Sequence, residues 1–288
     1  MSVPTIFQLQ HLFFNEEACI EFLFQEGIFY NEMTCPDCGR QLTKNLQRGT
    51  WRCGKKDCRK EISIRKDSFF ARSHLPCSRI LFFGYLWLQG VKPHSIQKMM
   101  GVSPNTVADF NNFYRQLTID SLEEEDTKIG GPGIVVEIDE AKLGKCKYNR
   151  GHPVNGVWVL GGVERTPQRK VFLTYVEKRD APTLLSIISQ HVLEGTIIYT
   201  DMWASYRDLE ALGFRHSTVN HSLYFRHPET GVHTNTIEGT WNGVKMFIAR
   251  RNRTVEGVND HLEEFIWRRR NHDRLWQALL ECLKEIKY

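Results

Sequence analysis

IVVEID spans residues 134–139, and two more apolar runs follow it: VWVLGGVE at 157–164 and KVFLTYVE at 170–177. Valine, isoleucine and the aromatics favour strands, so three such runs with short connections predict an antiparallel meander. APTLLSIISQHVL (181–193) has helical spacing, TIIYT (196–200) is again strand-like, and a short helix is expected near 205–212 before STVNHSLYF (217–225). A strand reached through a helical crossover returns parallel to its neighbour. Long helical stretches run from about Asn235 to the end. The predicted fold class is therefore a mixed α/β layer structure.

Two acids stand where these apolar runs stop. Asp139 closes IVVEID, and Asp201 follows TIIYT. Aspartate is depleted in strands and rarely buried without a partner. A third acid, Glu238, lies in HTNTIEGTWNGVKMF, which is helix-like from Asn235 or Thr236. Two aspartates at strand ends and a glutamate on a helix can converge on one spot. A hard cation such as Mg2+ prefers such oxygens. Two ions about 4 Å apart activate an attacking oxygen and stabilise a leaving one in phosphodiester chemistry. Taken singly, each acid also fits a helix cap or a surface position, and Glu137 and Glu140 flank Asp139. Spacing does not choose among them.

At 288 residues the chain exceeds what one core usually needs, which predicts about two domains. With 25% charged and 41% hydrophobic residues it reads as an ordinary folded chain. No apolar run nears about 18 residues, so no membrane span is expected. The start, MSVPTIFQLQ, lacks the basic and long apolar regions of a signal peptide. The net charge of +4 says less than its distribution. Residues 31–80 hold twelve Lys or Arg against five Asp or Glu, and Gly239–Arg253 holds Lys245, Arg250, Arg251 and Arg253 with no acid. Two basic stretches suit a polyanion partner, although a solvated charged face is the commoner meaning of any one cluster.

The N-terminal half carries two motifs. Residues 9–29 have helical spacing. CPDC (35–38), Cys53 and Cys58 then give C-x2-C-x14-C-x4-C, two paired thiolates that can surround one structural Zn2+ tetrahedrally. Gly39 and Gly54 suit the tight turns. With no secretory signal, a disulfide framework is not expected from the eight cysteines. Residues 78–118 look helical with a break near Gly101, where Ser103 suits an N-cap and Pro104 a first helical position. This predicts a helix-turn-helix, with Asn105, Thr106, Asp109, Asn112 and Arg115 exposed for the major groove. An ordinary helical hairpin fits the same pattern. An acidic and then GGPG-rich linker covers Asp120–Gly133.

The strings IDEAKLGK (138–145), GVWVLGGVER (156–165), TIIYTDMWASY (196–206), VNHSLYF (219–225) and HTNTIEGTWNGVK (233–245) occur in order. Together they resemble the DDE transposases of the Merlin superfamily and their bacterial insertion-sequence relatives. The resemblance implies an RNase H-like catalytic core over 134–271, preceded by an N-terminal helical segment (1–30), a zinc ribbon (31–66) and a helix-turn-helix region (67–120), and followed by a C-terminal helix (272–288). It implies that Asp139, Asp201 and Glu238 form a catalytic triad holding two Mg2+ or Mn2+ ions. The implied activity is cut-and-paste transposition: metal-dependent hydrolysis at transposon ends, then attack by the freed 3′-OH on target DNA. The partners would be double-stranded DNA, as terminal inverted repeats and as target, and further copies of the chain on paired ends. Nuclear localisation is expected in a eukaryotic host and cytoplasmic otherwise. A domesticated DNA-binding descendant and an RNase H-like nuclease without strand transfer are the alternatives. Around the triad, His221, His233, Asn235 and Lys245 are candidate phosphate or metal neighbours, with Asn235 equally suited to an N-cap. Arg250-Arg-Asn-Arg253 and Arg268-Arg-Arg270 are candidate backbone contacts. Trp203 and Trp241 are expected to pack in the core rather than stack on bases.

Overall fold

Asn15 divides what reads as a single N-terminal helix. Its side chain accepts from the Ala18 N–H at 3.1 Å and so starts α2 (Glu16–Gln25) after α1 (Ile6–Phe13). The computed structural model describes residues 3–144, 156–220, 228 and 231–287. Cys146 and His221 lie outside the described residues, as does the VNHSLYF string beyond Asn220. The chain divides into two units: Met1–Ser121 with Asn271–Tyr288, and Leu122–Arg270.

The first unit contains a three-stranded antiparallel ribbon, β1 (Thr43–Asn45), β2 (Thr50–Arg52) and β3 (Glu61–Ser63). Trp51 of β2 is buried and meets Phe24 of α2 edge-on. Three helices follow, α3 (Cys77–Leu88), α4 (Pro93–Met100) and α5 (Pro104–Asp120). The run expected over 78–118 thus breaks twice. The first break comes at Gly90 and Pro93, since proline opens a helix but does not continue one. The second is at Gly101, left-handed at φ 60°, after which the Ser103 side chain caps α5 through the Thr106 N–H at 3.1 Å. Ile96, Met100, Val107, Phe110 and Tyr114 are buried while Met99 and Phe113 face outward, which decides the inward set. Almost every residue of α3 is buried. Tyr114 crosses Gly84, where a Cβ would lie 2.8 Å from its ring, and donates to the Ile80 carbonyl at 2.7 Å. The C-terminal helix, Leu275–Glu285, belongs to this unit and buries Trp276, Leu279 and Leu283.

The second unit opens with a 3-10 helix (Glu124–Thr127), then β4 (Ile129–Gly130), β5 (Val135–Leu143), β6 (Val157–Glu164), β7 (Val171–Val176), α6 (Ala181–His191), β8 (Val192–Leu193), β9 (Ile197–Asp201), β10 (Arg215–Val219), α7 (Asn235–Phe247) and α8 (Val258–Arg270). Between β9 and β10 a 3-10 helix runs over Ala204–Leu212. The main sheet has the order β10-β9-β5-β6-β7. The meander β5-β6-β7 is antiparallel, and β9 and β10 add in parallel on the other side of β5.

Period-two alternation sends successive residues to opposite faces. Val136, Ile138, Leu160, Phe172 and Ile198 pack on one face with Leu184 and Ile188 of α6. Ala141, Leu143, Val159 and Val163 pack on the other with Ile237, Trp241 and Val244 of α7 and Leu262 and Ile266 of α8. No helix among the described residues is long and apolar enough to cross a membrane.

Candidate functional site

The four cysteines of the ribbon meet in one place, with their sulfurs within 4.8 Å of one another. Cys35 and Cys58 approach to 3.5 Å, and Cys38 and Cys53 to 3.6 Å. The two knuckles are built alike. The Cys35 N–H donates to the Arg40 carbonyl and the Cys53 N–H to the Lys60 carbonyl, each at 2.8 Å. The residue after each second cysteine is left-handed, Gly39 at φ 68° and Arg59 at φ 46°. The second turn therefore rests on Arg59, and Gly54 does not supply the positive φ expected of it. The Arg40 N–H draws the Cys38 thiol down to about 7. Although the Lys60 N–H favours the Cys58 thiolate, neighbouring sulfurs and burial drive that thiol up to about 12. Four sulfurs this close compete for protons, and a soft cation settles the competition by holding all as thiolates.

The carboxylates assemble differently. β5 and β9 run parallel with Glu137 opposite Tyr199; two residues further along the same register Asp139 comes level with Asp201. Both lie on the sheet face covered by α7, where Glu238 sits in the first turn. Asp139 is held by Trp241, whose Nε1 donates to Oδ2 at 3.0 Å. Gly161, the register partner of Asp139 on β6, makes room for that indole: a Cβ there would lie 2.7 Å from the Trp241 ring. Asp201 Oδ1 accepts from the Trp203 N–H at 2.9 Å. Burial raises the Asp139 pKa, and the charges of Asp201 and Glu238 raise it further. Among the described residues the cysteine quartet is gathered within 4.8 Å, whereas the three acids interact through charge without reaching that closeness.

The two flanking acids part company here. Glu137 is fully buried and turns toward α7, where it accepts from the Thr236 N–H at 2.7 Å, the Ile237 N–H at 3.0 Å and the Thr236 hydroxyl at 2.8 Å. Arg165 Nε at 3.5 Å and His233 Nδ1 at 3.4 Å complete its surroundings. A carboxylate at this position satisfies orphan N–H groups and opposes the helix dipole. Thr234 holds the N-cap position of α7 without a side-chain cap bond, and Asn235 is the first helical residue, so the cap is supplied from β5 rather than by Asn235. Glu140 turns to the opposite face. Burial, and then the charge of Asp139, raise its carboxyl to about 7. The Tyr206 hydroxyl faces it, yet neither that hydroxyl nor Glu140 Oε1 completes a hydrogen bond. A charged residue in phase with Asp139 inside an apolar strand was the available signal for Glu137.

The other candidates scatter. Asn105 is exposed on α5, Thr106 is half-buried near the Ser103 cap, and Arg115 donates to Asn112 Oδ1 at 2.9 Å. Lys245, Arg250 and Arg251 are exposed, while the Arg253 guanidinium donates to the Ile248 and Lys245 carbonyls and closes the end of α7. Trp241 is buried as expected. Trp203 is instead 36% exposed, with Arg179 lying between its ring (4.2 Å) and that of Trp158 (3.6 Å).

Residues 124–270 match the family model of the ISXO2-like transposase domain. A protein of Haemophilus influenzae described as an uncharacterized transposase-like protein is 33% identical over 105 residues, which is 36% of this chain and 84% of that relative.

Proposed function

Because the chain belongs to the ISXO2-like transposase domain family, we propose that it is a cut-and-paste DNA transposase of the Merlin type. In this reading the second unit is an RNase H-like core, and Asp139, Asp201 and Glu238 are its catalytic acids. The observation that carries it is the placement of those acids: two level on adjoining parallel strands, the third in the first turn of the helix that covers them. The strand order β10-β9-β5-β6-β7, a meander continued by two parallel strands, supports the same core.

The donor set fits a hard divalent cation, three carboxylates on rigid elements. Mg2+ or Mn2+, two ions in all, would supply stabilisation of the attacking and leaving oxygens of a phosphodiester. The chain's own part is positioning. Trp241 and the Trp203 N–H orient the two aspartates, and Glu137 anchors the helix that presents Glu238. Hydrolysis at the transposon end would free a 3′-OH, which then attacks a target phosphodiester.

The cysteine quartet takes Zn2+, in keeping with four soft thiolates at tetrahedral spacing. The ribbon and the α4–α5 pair would recognise terminal inverted repeats, with Asn105, Thr106 and Arg115 toward the DNA. Lys245, Arg250 and Arg251 would bind backbone phosphate. Paired ends call for more than one copy of the chain.

Incubation with Mg2+ or Mn2+ and duplexes carrying candidate inverted repeats, beside Asp201→Asn, tests the reading. Cleavage and joining by the wild type alone is the expected result. Equal cleavage by both proteins would sink the triad. Cleavage without joining would favour the nuclease, and tight binding without cleavage a domesticated DNA-binding protein.

A further inference from the structure

The turn between β6 and β7 brings Arg169 to the end of α8, where a cavity of about 340 Å3 opens. Arg169, Arg269, Asn235, Thr236, Gly239 and Thr240 line it. Arg169 has a left-handed backbone, φ 47°, which residues other than glycine, asparagine and aspartate seldom adopt. That conformation presents its carbonyl to Arg269 Nε at 2.8 Å. Two guanidinium groups therefore share one cleft, and burial, followed by the charge of Arg169, lowers the Arg269 pKa. The guanidinium of Arg169 makes no ion pair among the described residues.

The neighbours of Arg269 in sequence are used otherwise. Arg268 pairs with Glu264 at 2.8 Å, and Arg270 with Asp126. Of the three consecutive arginines, Arg269 is the one that lines the cleft. The first N–H groups of α7 are already taken by Glu137, so the positive character of the cleft comes from the arginines and not from the helix end. Asn235, Thr236, Gly239 and Thr240 form one flank of α7, and Glu238 projects from the other.

Like charges brought together and partly desolvated repel, and an oxyanion between them removes the repulsion while accepting several N–H donors. We propose that this cleft is an anion subsite that holds one phosphodiester of a DNA strand on the flank of α7 opposite Glu238. The assignment rests on the transposase reading. It fits a backbone contact that positions the strand without reading sequence.

The test uses the full zinc-loaded chain without added Mg2+ or Mn2+. Binding of a fluorescent duplex is followed by anisotropy from 50 to 200 mM salt, roughly the range over which phosphate contacts dominate. The Arg169→Gln/Arg269→Gln double variant should reduce the slope of log K against log salt by about 1, one neutralised phosphate, equally on unrelated sequences. Arg169→Lys and Arg269→Lys, which keep the charge, should restore the slope, and they also serve if a glutamine variant fails to fold. Wild-type slope in the double glutamine variant, with DNA binding intact, would overturn the subsite alone. No DNA binding by the wild type would overturn the transposase reading itself. Thermal stabilisation by millimolar inorganic phosphate, lost in the double variant while the DNA slope stays unchanged, would assign the cleft to a small anion and overturn the DNA contact.

Discussion

The cysteine ribbon and the carboxylate centre hold their ligand atoms in opposite ways. The ribbon's four sulfurs already lie within 4.8 Å, although the module around them is three short strands. The acids come from three elements separated by up to about a hundred residues, and they remain further apart despite a well-packed sheet beneath them. In the ribbon a bound metal would make the local fold; in the centre the fold alone brings the acids together. Charge explains the contrast. A thiol can sit protonated beside its neighbours, whereas adjacent carboxylates repel until a cation or a proton joins them. Burial has to be compensated in both units by a carboxylate from a distant element. Glu16 caps α3 through the Cys77 and Ser78 N–H groups at 2.8 Å, as Glu137 caps α7.

The largest effect should follow from attacking the ribbon. Removing its metal with a chelator, or Cys53→Ser, takes away an apparent folding contribution of about 10–16 kcal/mol for a structural zinc. Loss of one zinc per chain by metal analysis, with loss of the burial signal of Trp51 fluorescence, is the expected outcome. A ribbon that keeps Trp51 buried without metal would show that packing on α2 suffices, and the contrast would fail.

Next comes the anchor of the carboxylate centre. Glu137→Ala leaves two helix N–H groups and Arg165 without their acceptor and should cost about 3–5 kcal/mol in urea unfolding. Because Arg165 is partly exposed and can turn to water, the lower end of that range is expected. The zinc content should not change. A loss under about 1 kcal/mol would mean that α7 is held by packing alone.

The smallest effect is a pH dependence confined to the second unit. Glu140 has its folded pKa raised from 4.5 to about 7. An acid with a raised folded pKa binds its proton more tightly in the native state, so stability falls as pH rises from about 4.5 to about 7. The sum is about 3 kcal/mol by linkage. Asp139 shifts in the same direction. Glu140→Gln should flatten the profile of metal-free protein, and an unchanged slope would remove Glu140 as its source.

Much of the fold was legible in the sequence. The meander, the crossover helix and the parallel strand after it follow from alternating apolar residues, and the ends of β5, β6, β7 and β9 moved only by a few residues, whereas β10 is Arg215–Val219 against an expected 217–225. Asp201 proves to be the last residue of β9 rather than a residue beyond it. β5 runs on to Leu143, four residues past the end of IVVEID, since β6 continues to pair with it. The helix breaks at Asn15 and Pro93 were less visible, because a cap and a short turn interrupt an apolar pattern that otherwise continues.

The sequence by itself determined the elements, the cysteine quartet and the family-like strings, because each is a local pattern: alternation, paired spacing or a short motif. Only the tertiary structure decided which acid faces which way. Parity on β5 places Glu137 and Asp139 together and Glu140 opposite, but which face meets α7 is set by the packing of Trp241 over Gly161, a contact between distant parts of the chain. The cleft between Arg169 and Arg269 arises in the same manner. A hundred residues separate the two, and the turn after β6 and the last turn of α8 bring them together.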